Sequence, residues 1–202
     1  MNEKANEQIK RTNTKQGLKM KLSDSEKLII LMLSELYEKL GVEGEIEPDF
    51  IKSAIFGNQL WGLKWKYSGI PFEESEDPEV VKEVVDILDM WSFIEYAYSR
   101  LTEAEKKQLE IDAAPFGKEP KFRGFDGNHE GEYMGTAMFL VNDLERFQEF
   151  KGRDFNSHMQ LVELYNRMLE AFEPIRETLT NKPMNLENLT IILKAAMHPS
   201  RR

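Results

Sequence analysis

With 202 residues, of which 41% are hydrophobic and 10% aromatic, the chain can bury one sizeable core. It contains no cysteine, which excludes disulfides, thiolate metal sites and cysteine nucleophiles and suits a reducing cytoplasm. A net charge of -9 argues against an extended nucleic-acid-binding body, and no run approaches the roughly 18 apolar residues of a membrane span.

Residues 1–21 carry six cations against two carboxylates, a net of four positive charges that leaves thirteen negative charges on the remainder. With few apolar side chains and no periodicity, this segment is expected to be a flexible basic arm, and the only part suited to touching nucleic acid. Its polar start does not look like a secretory signal. The folded domain is expected to span 22–202. Ser23 followed by Glu26 makes a capping-box pattern, and Leu28 to Leu33 with Leu36, Tyr37 and Leu40 supplies a broad apolar helical face ended by Gly41. Pro48 and Asp49 open a second helix reaching Tyr67, which Gly57 and Gly62 threaten to break.

Asp77 and Pro78 announce the longest helix, 78–101. There Val80, Val84, Ile87, Trp91, Ile94, Tyr98 and Leu101 recur four and three residues apart, and further apolar residues widen the stripe. A helix apolar over so much of its circumference is expected to be central, with its aromatics in the core. Thr102 with Glu105 caps a short helix. The glycine- and proline-punctuated stretch 113–127 holds Phe116, Phe122 and Phe125, which predicts an ordered loop pinned to the body. A helix follows from Tyr133 to Phe147. Ser157 with Gln160 is the expected cap of another, carrying Leu161, Tyr165, Met168 and Phe172 on one face with Pro174 beyond it. The last runs from about Leu186 to Met197. The sum is an all-α, multihelical single domain of about seven helices, with no strand periodicity and no internal repeat.

Two blocks stand apart. Phe122-Arg-Gly-Phe-Asp-Gly-Asn-His-Glu130 is answered by Asp154-Phe-Asn-Ser-His158, each placed where a helical pattern begins. Together with Tyr133, Phe139-Leu-Val141, Leu28-Ile-Ile-Leu31, Asp86-Ile-Leu-Asp-Met-Trp91 and Tyr165-Asn-Arg-Met-Leu169, they resemble the YfbU family of bacterial proteins over about residues 22 to 197. The resemblance implies a multihelical cytoplasmic protein and an oligomer. It implies no activity and no catalytic residues.

The chemistry the two blocks could carry is an anion or cation site. Two helix starts offer backbone donors, and Arg123, Asp126, Asn128, Glu130, Asn156 and His158 are the ligand-binding candidates. The spacing completes no metal motif, so no metal or cofactor is expected. The plainer alternative makes Asn128 and Ser157 helix caps and Asp126 a turn residue. As catalytic residues, Arg153 and His158 have the spacing of a HEPN-type ribonuclease. Nine arginines and three histidines, however, give about 0.4 such matches by chance, and Arg123 to His129 matches as well. Serine-hydrolase, Walker and dinucleotide glycine motifs are absent. The leading expectation is therefore a non-enzymatic regulatory or interaction protein, a homo-oligomer with an unspecified protein partner and no membrane. Its adhesive surface would lie on the helix Val80 to Leu101 and a Trp61, Trp65 and Tyr67 cluster. An enzyme using Asp126, Arg153 and His158 is the rival.

Overall fold

The computed structural model describes residues 20–73, 75–179 and 183–197, so the expected arm falls almost wholly outside the described residues. Eight α-helices and one 3-10 turn form among them, with no strand beyond an isolated bridge. The described residues divide into two compact units, with the boundary between Pro78 and Glu79.

Unit 1 holds α1 (Asp24–Lys39), α2 (Pro48–Phe56) and α3 (Trp61–Lys66), with α1 packed on α2 and α2 on α3. The expected capping box starts α1. Ser23 Oγ accepts from Glu26 N–H, and the Glu26 carboxylate accepts from Ser23 N–H at 2.7 Å. The second expected helix is two. After Phe56 the chain turns through Gly57 and the left-handed Asn58, whose φ is 55°, and restarts at Trp61. The aromatic cluster that looked exposed in the sequence is not. Trp61 is buried, donates its indole N–H to Gln59 Oε1 at 2.5 Å and meets Trp65 edge-to-face, while Trp65 and Tyr67 are half-buried.

The apolar surface lies on α1 instead. Leu28, Ile29, Met32, Leu33, Leu36 and Leu40 are all more than half exposed. At 100° per residue they share one arc of about 140°, while the opposite side carries the buried Ser34 and the half-buried Ile30, Leu31 and Tyr37.

Unit 2 holds α4 (Glu79–Arg100), α5 (Glu103–Asp112), α6 (Gly131–Asn142), α7 (Val162–Thr178) and α8 (Leu186–Ala195). Helix α4 is central, as its broad stripe requires: α6, α7 and α8 all pack on it, α7 packs on α8, and α5 on α8. Val84, Ile87, Leu88, Met90 and Ile94 are completely buried. Two ends differ from the sequence reading. Helix α6 stops at Asn142 rather than Phe147, and the chain then passes through left-handed Glu145 and Phe147 into the 3-10 turn Gln148–Phe150. Pro174 lies inside α7 instead of after it. No helix among the described residues is long and apolar enough to cross a membrane.

Candidate functional site

The two polar blocks meet within unit 2. Phe125 N–H donates to the Phe155 carbonyl at 2.9 Å and Ser157 N–H to the Phe125 carbonyl at 3.0 Å, a parallel bridge of a single step. Gly124 makes this approach possible. Its φ is +82°, and a Cβ there would stand 2.1 Å from the Phe155 carbonyl oxygen. Beneath the bridge, Phe122 is the hub of an aromatic cluster, with ring centroids 5.6 Å from Phe125, 5.3 Å from Phe150 and 5.9 Å from Tyr165. The expectation that a phenylalanine-bearing loop is pinned to the body holds for this reason.

Glu130 does the most. One carboxylate oxygen accepts from Leu161 N–H at 2.7 Å and Val162 N–H at 2.8 Å, and the other accepts from Asp126 N–H at 2.9 Å. A side chain 31 residues upstream thus supplies the N-terminal cap of α7, whose own N-cap residue, Leu161, has no side-chain acceptor. Carboxylate and helix dipole attract, so the geometry is favourable on both counts. The expected Ser157 cap is therefore displaced. Ser157 Oγ instead donates to the Met159 carbonyl at 2.6 Å, and α7 begins only at Val162. Nor does Asn128 cap α6, whose N-cap residue, Glu130, makes no side-chain cap bond to that helix; the Asn128 N–H donates to Asp126 Oδ1 at 3.1 Å. A turn role for Asp126 is what the structure has.

Asp126 is buried, and its other oxygen lies 2.6 Å from His129 Nδ1. That bond, followed by the Asn128 N–H, holds its carboxyl below the ordinary aspartate range, with a weaker attraction from His158. Asn156 Oδ1 accepts from Gly127 N–H at 3.1 Å and His158 N–H at 3.0 Å, stitching the second block to the first. His158 itself sits at a φ of 53° with its ring exposed.

Arg153 and His158 are not joined by a hydrogen bond or ion pair. Arg153 forms a bidentate pair with Glu95, both bonds at 2.7 Å, donates to the Glu149 carbonyl at 3.0 Å and lies over the Phe150 ring. Glu95 also accepts from Phe122 N–H at 2.8 Å. The pair fastens the first block and the 3-10 turn to α4, and the Glu95 carboxylate raises the Arg153 pKa. Arg123 uses its backbone N–H on Tyr165 Oη at 3.3 Å, while its side chain is exposed.

Of the expected site residues, then, the structure gathers Asp126, Glu130 and Asn156 into one brace, sends Arg153 to Glu95, and leaves Arg123, Asn128 and His158 facing solvent. Among the described residues no group of three or more histidine, aspartate and glutamate side chains is arranged to hold a metal ion. Sequence reasoning missed Glu95, and it did not anticipate that both Glu130 oxygens accept from backbone N–H groups. No local signal marked the Glu130 cap, because Leu161 reads in sequence as a residue inside the helix and is its N-cap only in the structure.

The family model of the YfbU domain matches residues 20–195, and the chain belongs to that family. The chain is also 32% identical over 92 residues to the UPF0304 protein MJECS11 of Methanocaldococcus jannaschii. That match covers 43% of this chain and 53% of the relative, so the chain spans about half the length of the curated relative it matches. The relative is archaeal. No solved structure gives a significant match.

Proposed function

We propose that this YfbU-family chain is a non-catalytic interaction protein that works through the apolar face of α1, and that the first occupant of that face is a second copy of the same chain. The observation that carries the reading is the exposed row Leu28, Ile29, Met32, Leu33, Leu36 and Leu40. Single exposed leucines need no explanation, but six on one arc of one helix form a contiguous patch of the kind that marks association surfaces. The helices of its own unit take only the other side of α1. A helical stripe is also self-complementary: two copies related by a two-fold axis cover each other with the same residues, and the interface closes.

The rival enzymatic reading draws less support from the geometry. Arg153 spends its guanidinium on Glu95 and Glu149, and Glu130 spends both oxygens on backbone donors. Light scattering across a concentration series tests the proposal, with an expected mass near twice 23.6 kDa that falls to 23.6 kDa for Met32→Glu/Leu36→Glu. A monomeric mass throughout, or a dimer indifferent to the double variant, would sink it.

A further inference from the structure

A second feature of unit 2, independent of α1, is a cleft of about 170 Å³ between the Pro115–Arg123 loop and helices α7 and α8. Its walls include Trp91, Leu164, Met168 and Leu193, and its mouth carries Lys118, Lys121 and Arg123 against the single carboxylate of Glu119. Lys118 has a partner, Glu110, at 3.7 Å. The side chains of Lys121 and Arg123 have none among the described residues. On a chain of net charge -9, two unpaired cations at the edge of an apolar cleft create a local field opposite to that of the whole molecule.

The wall contributes an independent observation. Trp91 is 5% exposed, and its indole N–H has no acceptor among the described residues. A buried donor without an acceptor carries a free-energy penalty, and it belongs to a residue that lines this cleft. Tyr165, whose hydroxyl is already committed to the Gly124 carbonyl at 3.2 Å, stands edge-to-face with Trp91 at 5.6 Å and does not supply that acceptor through its oxygen.

We propose that this cleft binds a small organic anion, a carboxylate on a ring-sized apolar body, with the ring against Trp91 and Met168 and the carboxylate toward Lys121 and Arg123. The volume limits the body: a dry apolar cavity of about 150 Å³ accommodates one benzene ring. The planar fork of Arg123 suits a carboxylate, because two parallel N–H donors match its two oxygens.

Benzoate is the probe, added at millimolar concentration to the full chain labelled with nitrogen-15. The three indole N–H resonances are told apart through Trp61→Phe and Trp65→Phe, which both lie outside unit 2. A saturable shift of the Trp91 resonance is expected, together with a dissociation constant raised about tenfold or more in Lys121→Ala/Arg123→Ala, whose exposed side chains leave the core intact. Benzylamine has the same ring and the opposite charge, and is expected to leave the Trp91 resonance where it was. No saturable shift with benzoate, an equal response to benzylamine, or a double variant that titrates like the parent chain would each overturn the proposal. None of these outcomes bears on the mass of the assembly, so this proposal and the association through α1 fail separately.

Discussion

Helix α4 and helix α1 both carry apolar stripes wider than a single neighbour covers, and the two stripes meet opposite fates. On α4, Ile87 and Leu88 are completely buried because α6, α7 and α8 all pack against it. On α1, Leu28 is 63% and Met32 64% exposed, because α2 takes only the opposite side. A periodic stripe states that a face needs covering without stating by what. In unit 2 the cover is intramolecular, and in unit 1 the proposed cover is another chain.

The contrast is broken most directly by paired truncations. Ile87→Ala should cost about 3 to 5 kcal/mol, as truncations deep in a packed core do, whereas Leu36→Ala in dilute protein should change stability by less than about 0.5 kcal/mol. Urea unfolding of both variants checks this, and comparable losses would mean that the α1 face is covered within the monomer. Next in size is Glu130→Ala, which strips three backbone N–H groups of their acceptor and should cost about 2 to 4 kcal/mol. Glu130→Gln keeps an acceptor oxygen and should lose less. If both were near neutral in the same urea titrations, the brace would not be what joins the two blocks.

Arg153→Ala should cost about 1 to 3 kcal/mol, because Glu95 is left part-buried with only the Phe122 N–H to answer it. Thermal melts decide the point, and a well-folded variant that loses a specific RNA cleavage activity would favour the enzymatic rival. Acid titration gives a smaller and more local effect. The Asp126 carboxyl is held below its unfolded value of about 3.9, so its contribution is complete above that pH and disappears as pH falls through the folded-state pKa. Asp126→Asn should therefore flatten the stability profile below about pH 4. A slope altered only near neutrality would contradict the assignment. The smallest change is expected for His158→Ala, less than about 0.5 kcal/mol in a chemical melt, since its ring is exposed and only its backbone N–H is used.

The sequence by itself determined the all-helical class and most of the helices, though not all their ends, because their information is local. The Ser23 and Thr102 capping boxes form with both reciprocal bonds in place, and the apolar recurrence over 78–101 yields the central helix Glu79–Arg100. It also determined that the Phe122–Glu130 and Asp154–His158 blocks were special. What it did not determine was each block's partner. Glu130 caps a helix that starts 32 residues later, Arg153 reaches back 58 residues to Glu95, and Gly124 is a glycine because Phe155 passes over it. Periodicity and capping rules read interactions three or four residues apart, where the backbone itself sets the geometry. Contacts that span thirty to sixty residues depend on how whole helices pack, so only the tertiary structure could turn a set of candidate ligands into a brace and move the exposed apolar face from the tryptophans to α1.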